Sequence, residues 1–372
     1  MKLLLLGLGT VGSGVVDVLE MNKSKIEQMV GEKVSVTHAY IKNIEKTRNI
    51  NTNTIKLLDD IESVKNLEVD LVVEVMGGIQ DTKEIVASFL KRGIPVVSAN
   101  KDMLAVYIDE LEALAHEKNT HLKYEAAVAG SIPIIRTIAT SFNSNAISRV
   151  MGILNGTTNF ILSSIENEGV SYEEALAEAT RLGYAEQDPT NDVDGIDASR
   201  KILLLARLAF DKKLKLDDVE LKGIRDIESK DIFNLKNKGY SVKLIGDAKF
   251  DGEEISISVE PKAFKKTHML ANVDGSMNGV FLSGNAFDEA FLYGPGAGSL
   301  ETASAVVSDI INAFTEEPNI KVPTETAVID KRDTYSTYYV RTHDDVVKIV
   351  ETSLHELKND KNVSVFFEMI GD

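Results

Sequence analysis

Residues 2–6, Lys-Leu-Leu-Leu-Leu, make a short apolar strand that runs directly into Gly7-Leu8-Gly9-Thr10-Val11-Gly12, with Val15, Val16 and Leu19 continuing from Val11 at near-helical spacing. A buried strand, a glycine turn and an apolar-faced helix in that order restrict the chain to an α/β architecture built on a parallel sheet. The first glycine permits the tight turn, the second lets the backbone approach a pyrophosphate, and the third allows close packing of the helix. The helix start then presents N–H groups to phosphates. The loop therefore predicts dinucleotide binding, with Gly7, Gly9, Thr10, Val11 and Gly12 lining the phosphates.

The alternation continues, with strands expected over 34–41, 70–75, 94–98 and 121–126 and helices over 82–92 and 109–118. The fold class is α/β, a Rossmann-type doubly wound parallel sheet. The second strand ends in Tyr40-Ile41-Lys42-Asn43, where an acid would normally hold the ribose hydroxyls of NAD. None is there. Lys42, with Arg48 not far on, is placed to neutralise a 2′-phosphate, so the reading favours NADP over NAD; the plainer alternative is a solvated surface lysine. Met76-Gly77-Gly78 and Ser98-Ala99-Asn100-Lys101 stand near the carboxyl ends of later strands, where open α/β sheets bind ligands.

At 372 residues the chain exceeds one core and predicts two or three units. Its net charge of −17 disfavours nucleic acid and anionic membranes as partners. The apolar run at residues 3–6 is too short for a leader or a membrane span, which predicts a cytoplasmic protein. With no cysteine, disulfides, thiolate metal sites and cysteine nucleophiles are excluded, and six scattered histidines offer no zinc spacing.

Residues 183–201 crowd five acids, Glu186, Asp188, Asp192, Asp194 and Asp197, ahead of Lys201, and 198–210 is an apolar helical run. A charged stretch meeting a buried segment makes a polar pocket at the edge of a core. Asp197 and Lys201 stand one helical turn apart, and a surface ion pair there is worth only a few tenths of a kcal/mol. The remaining carboxylates exceed what helix capping needs and point to an amine-bearing ligand.

Taken in order, the glycine loop, Ser98-Ala-Asn-Lys101, Glu125-Ala-Ala-Val-Ala-Gly-Ser-Ile-Pro133, Gly152-Ile-Leu-Asn-Gly-Thr-Thr-Asn159, the 183–201 stretch and Gly294-Pro-Gly-Ala-Gly-Ser-Leu-Glu-Thr-Ala-Ser-Ala305 resemble homoserine dehydrogenase over about residues 1–320. The resemblance implies reversible hydride transfer between the nicotinamide ring and the C4 carbinol of L-homoserine, giving L-aspartate 4-semialdehyde, in threonine, methionine and isoleucine biosynthesis. By the same resemblance Glu186 accepts hydrogen bonds from the substrate ammonium, Asp192 and Asp197 lie near the reacting hydroxyl and its lysine, and Gly156, Thr157 and Tyr184 belong to the pocket. Lys101 and Lys201 match a proton-transfer pair, with Lys201 ranked as the direct acid/base and Lys101 as its electrostatic partner or alternate. A lysine can take the carbinol proton only if desolvation or a neighbouring cation lowers its pKa. Gly77, Ser98, Gly298 and Glu301 are implied on the cofactor side. An alkali cation such as sodium is implied at Glu125, Val128, Gly130 and Ile132, held mostly by backbone carbonyls.

The domain reading is 1–134 for the dinucleotide unit, completed by 295–320; 135–294 for an α+β substrate and dimerisation unit; and 321–372 for a short βαβ tail. In the second unit, strands are expected over 148–154, 242–250 and 254–261, with helices over 172–182 and 198–210. The tail reads as strand 337–341, helix 344–357 and strand 363–368, half of the ACT-type module that longer relatives append. This favours an oligomer-stabilising remnant over a threonine-binding regulator, and predicts that a chain ending near 320 keeps its chemistry at a cost in stability or assembly. Assembly as a homodimer or a higher homo-oligomer follows from the resemblance. Aspartate-semialdehyde dehydrogenase, a rival on the same aldehyde, requires a cysteine nucleophile that this chain lacks. A nucleotide-sensing regulator would have no need of the lysines and Glu186.

Overall fold

The computed structural model describes residues 1–44, 50, 52–318, 321–330 and 335–371. They form two compact units, the first of Met1–Ser141, Asp211–Lys213 and Gly296–Thr326, and the second of Phe142–Phe210, Leu214–Pro295 and Ala327–Asp372. Elements are numbered along the chain.

In the first unit, strands β1 (Lys2–Leu6), β2 (Ser35–Tyr40), β3 (Lys56–Leu58), β4 (Leu71–Glu74), β5 (Val96–Ser98) and β6 (Leu122–Lys123) form a parallel sheet in the order β3-β2-β1-β4-β5-β6. The order reverses between β1 and β4, which is where a doubly wound sheet opens its ligand crevice. Every residue of the runs Leu3–Leu6 and Leu71–Glu74 is fully buried, as a sheet covered on both faces demands. Helices α1 (Thr10–Met21), α2 (Lys23–Val30), α3 (Ile61–Lys65), α4 (Gln80–Lys91), α5 (Lys101–Glu117), the short α6 (Ile134–Arg136) and α12 (Ser299–Thr315) complete the unit. Val15, Val18 and Leu19 of α1 and Val306, Val307 and Ile310 of α12 pack with Leu3, Leu5 and Val73 into one core cluster.

Helix α5 corrects the expected 109–118: it begins eight residues earlier, at Lys101, because the Asn100 side chain caps it by accepting the Met103 N–H at 3.1 Å. The strand expected over 121–126 covers only Leu122–Lys123, after which Glu125–Ala127 turn as a 3₁₀ helix.

The second unit is a mixed sheet that runs β12-β11-β7-β9-β10-β16-β14-β15, from β7 (Ile147–Ile153), β9 (Tyr240–Phe250), β10 (Glu254–Lys265), β11 (Met277–Gly284), β12 (Asp288–Pro295), β14 (Tyr335–Thr342), β15 (Val347–Ser353) and β16 (Val363–Ile370). Short β8 (Glu220–Leu221) and β13 (Val328–Ile329) pair with β10 outside that path. Helices α7 (Gly156–Glu168), α8 (Tyr172–Arg181), α9 (Thr190–Val193), α10 (Ile196–Phe210), α11 (Ser229–Asn237) and α13 (Leu354–Asn359) complete it. The apolar side of α10, with Ile202, Leu203 and Leu205 buried, lies on β7, β9 and β10.

The tail departs from its expected form. Residues over 344–357 are not one helix but the hairpin strand β15 followed by the six-residue α13, and the β-branched Val346, Val347, Ile349 and Val350 explain the strand. Nor do these strands form a separate module, since β16 pairs with β10 at Lys262–Phe264 and so continues the second unit's sheet. Charge secures the seam. Lys262 is 3% exposed, and its Nζ donates to Asp247 at 2.9 Å and to Glu368 of β16 at 2.6 Å. Burial alone would favour the neutral forms, but the mutual pairing holds the Lys262 ammonium well above its ordinary range and the Asp247 carboxyl below its own.

Candidate active site

In the second unit β7 leads through Leu154 into Asn155, which caps α7: its Oδ1 accepts the Thr158 N–H at 2.9 Å and the Thr158 hydroxyl at 3.0 Å. Its Nδ2 turns the other way, donating to Asp192 at 2.7 Å and to Asp197 Oδ2 at 2.9 Å. Lys201 Nζ donates to the same Asp197 oxygen at 2.7 Å and to the Leu154 carbonyl at 2.7 Å. This is no surface ion pair, since the two side chains are only 12% and 11% exposed. Burial, reinforced by the Asp197 charge and opposed by the Asn155 hydrogen bond, raises the Asp192 carboxyl above its usual range. A lysine is thus held at the edge of the core by one carboxylate and one carbonyl, with a second carboxylate linked through an amide.

The start of α7 lies hard against the loop before β11, where a Cβ on Gly156 would meet the Ser276 carbonyl at 2.6 Å. The Thr157 hydroxyl donates to the Tyr184 carbonyl at 2.7 Å, fixing the loop after α8, and the Tyr184 ring tilts on Phe160 at 5.1 Å while remaining 44% exposed. Glu186 is exposed on that loop. The acidic stretch therefore divides. Asp192 and Asp197 enter the lysine network; Asp188 instead accepts the N–H and hydroxyl of Thr190, and Asp194 pairs with Arg225, so two of the five acids take their partners from the fold nearby.

In the first unit Gly7 has φ of 105°, and a Cβ there would sit 2.9 Å from the Met76 backbone. A Cβ on Gly12 would meet the Gly7 carbonyl at 2.2 Å. Gly9 precedes α1 and no side chain among the described residues caps it, so the helix start keeps N–H groups without a capping acceptor. Thr10 and Val11 open α1; the Thr10 carbonyl accepts the Ser299 hydroxyl at 2.8 Å. At the other terminus of the crevice Gly77 has φ of 73° and its carbonyl accepts the Thr82 hydroxyl at 2.6 Å. Gly298, at φ 140°, precedes α12, and the Glu301 carboxylate folds back against it. Lys42 is exposed just beyond β2; Arg48 lies outside the described residues.

Ser98 is fully buried. Its hydroxyl donates to Glu74 Oε2 at 2.7 Å, so it points into the sheet terminus, while Asn100 Nδ2 donates to the Gly78 carbonyl at 2.8 Å. Glu74, buried at the end of β4, is raised above the usual carboxylate range by burial against the opposing hydrogen bonds of Ser98 and the Met76 N–H. It ties both strand-end loops to the start of α5, where half-buried Lys101 sits. Sequence reasoning passed over Glu74 and Asn155. The only signal for Glu74 was an acid closing the apolar run Leu-Val-Val.

Ala129 and Gly130 both adopt positive φ, 55° and 58°, which turns the buried 125–132 segment back on itself. Glu125 accepts the Ile135 and Arg136 N–H groups at 2.8 Å, and its own N–H donates to Asp309 at 2.8 Å. Burial, with the Glu125 carboxylate beside it, pushes the Asp309 carboxyl up to about 7. Among the described residues no group of three or more His, Cys, Asp or Glu side chains could hold a metal ion, and no helix is long and apolar enough to cross a membrane.

Family models for "Homoserine dehydrogenase" and for its "NAD binding domain" match residues 133–311 and 7–125. The homoserine dehydrogenase of Bacillus subtilis is 45% identical over 308 residues, 82% of this chain and 71% of that one. The chain belongs to the homoserine dehydrogenase family. Members are NAD(P)-dependent oxidoreductases acting on a CH–OH group, and the first unit is their dinucleotide-binding domain. The crystal structure of the homoserine dehydrogenase from Thiobacillus denitrificans superposes with a TM-score of 0.91 at 31% identity, covering 99% of this chain and 98% of that one. A hyperthermophilic archaeal homoserine dehydrogenase in complex with NADPH matches at a TM-score of 0.73 and 28% identity, covering 86% of this chain and 100% of that one.

Proposed function

We propose that this chain interconverts L-homoserine and L-aspartate 4-semialdehyde with NADP as the preferred acceptor, as a cytoplasmic homodimer serving threonine, methionine and isoleucine synthesis. The observation that carries the chemistry is the Lys201 ammonium, held between Asp197 and the Leu154 carbonyl at the edge of the α10 core. The nicotinamide accepts or returns the hydride at the substrate's C4. In the oxidative direction Lys201, in its neutral amine form, takes the carbinol proton as the C4–H bond breaks and becomes the ammonium; in reduction that ammonium returns the proton to the aldehyde oxygen. Lys101, opening α5, is the second candidate for this proton. Exposed Glu186 offers its carboxylate to the substrate ammonium, while Gly156, Thr157 and Tyr184 wall the pocket.

On the cofactor side, the glycine loop and uncapped α1 terminus receive the pyrophosphate, and Gly77, Gly298 and Glu301 border the remainder, while buried Ser98 stands behind them as the partner of Glu74. Exposed Lys42 beyond β2 supports a 2′-phosphate there. The Lys42→Glu enzyme is expected to lose at least about tenfold in the NADP-to-NAD ratio of kcat/KM, the size of one charged hydrogen bond. Absorbance at 340 nm with L-homoserine and each cofactor measures it. An unchanged ratio would place Lys42 away from the ribose.

The 125–132 turn offers backbone carbonyls to a sodium-sized cation. Glu125 and Ile132 carbonyls accept the Val128 and Ile134 N–H groups at 3.3 and 2.8 Å, each keeping a second lone pair, and a cation there would draw the buried Glu125 and Asp309 carboxyls, both raised by burial, toward their charged forms. Val128 and Gly130 would add their carbonyls. Bound cation would order this turn. Replacing sodium chloride by tetramethylammonium chloride at equal ionic strength should lower Tm by about 3 °C or more. Identical melting in both salts would remove the cation from this reading.

A further inference from the structure

The amide of Asn155 does two jobs that no other capping residue could do together. Its oxygen accepts the Thr158 N–H and hydroxyl, and its two amide hydrogens go one each to Asp192, at 2.7 Å, and Asp197, at 2.9 Å. Reversing the amide would set its oxygen against both carboxylates and its nitrogen against an N–H, so the orientation is decided by chemistry. Asn155 is 5% exposed, and its immediate predecessor, Leu154, supplies the carbonyl that Lys201 uses. Serine, threonine or aspartate would cap α7 equally well. None can donate to two carboxylates. Capping alone therefore leaves the choice of asparagine unexplained.

We infer that Asn155 is a positioning residue for proton transfer: by bridging Asp192 and Asp197 it fixes the carboxylate oxygen against which the Lys201 ammonium is set. The inference rests on the reading of Lys201 as the acid/base. Without the bridge the two acids repel, Asp197 is released to other rotamers, and Lys201 loses its aim at the substrate oxygen. Contact with substrate is not required of Asn155 itself.

The test uses the full-length enzyme with L-homoserine. Asn155→Ser keeps an acceptor for the helix start and deletes the double donor; Asn155→Asp keeps the acceptor and replaces the donor with a third carboxylate. Expected for Asn155→Ser is a fall in kcat of about tenfold to a hundredfold, with KM for L-homoserine within about threefold. Expected for Asn155→Asp is a shift of the rising limb of the kcat–pH profile to higher pH by about one unit, because added negative charge retains the proton on the acid/base group. A purely structural cap would lower Tm and leave that limb in place. If either variant that folds keeps both the wild-type kcat and the wild-type limb, the positioning role is overturned. A Lys201→Ala enzyme assayed in parallel separates the two failures: inactive Lys201→Ala beside unaffected Asn155 variants rejects this inference alone, whereas active Lys201→Ala rejects the acid/base reading beneath it.

Discussion

A chain ending at Thr326 is expected to lose the cooperative fold of its second unit, with Tm falling by more than about 10 °C. The tail closes that unit's interior. Asp231 of α11 is fully buried and accepts Arg341 Nε at 2.7 Å, Arg341 Nη2 at 3.0 Å and the Tyr339 hydroxyl at 3.0 Å, all from β14. Truncation would leave that carboxylate with the Glu228 N–H at 3.2 Å as its remaining described partner. Removing one side of a buried ion pair costs about 3–5 kcal/mol. Lys262 would also lose Glu368, β10 would lose its pairing to β16, and Lys222 would lose the Phe366 ring it lies over. Together these approach the ~5–15 kcal/mol that holds a whole domain. Thermal denaturation and limited proteolysis of the shortened chain measure the outcome. Unaltered melting and protease resistance would show that the second unit folds without the tail.

The second large effect is chemical. Lys201→Ala should lower kcat by about 10²–10⁴, the usual contribution of a positioned acid/base group, with KM for L-homoserine changed only a few fold. Alanine also strips Asp197 of its ion pair, so Lys201→Arg is the sharper variant: it keeps a cation beside Asp197 yet cannot surrender its proton at working pH. The arginine enzyme is expected to melt near the wild type and to share the kcat loss. Near wild-type turnover by Lys201→Arg would make the group a fixed charge, and by Lys201→Ala would remove it from the reaction. Glu186→Gln should behave oppositely, raising KM by about tenfold or more through a lost charged hydrogen bond while kcat moves less.

Much of the first unit was legible because local signals there agree. Leu3–Leu6 is apolar throughout, the turn needs a residue at φ 105°, and Val15, Val18 and Leu19 then face one core. The tail was not legible, since Val346, Val347, Ile349 and Val350 satisfy both a helical stripe and a β-branched strand, and pairing with β14 decides for the strand. The early start of α5 turned on one cap, Asn100, whose role depends on Glu74 and Gly78 from another strand end.

At the lysine site, sequence spacing alone placed Asp197 and Lys201 on one helical face, because four residues make about one turn whatever surrounds them. What that pair became was a tertiary outcome. Asn155 lies 37 and 42 positions from the two acids it bridges, and Leu154 lies 47 from the lysine it accepts, so packing of β7 against α10 had to bring them together. The same packing assigned Asp188 to a local turn and Asp194 to Arg225, choices that a cluster of like charges along the chain does not encode. Periodicity is a property of neighbours along the chain; the burial that turns an ordinary ion pair into a candidate acid/base centre exists only once distant strands and helices have closed over it.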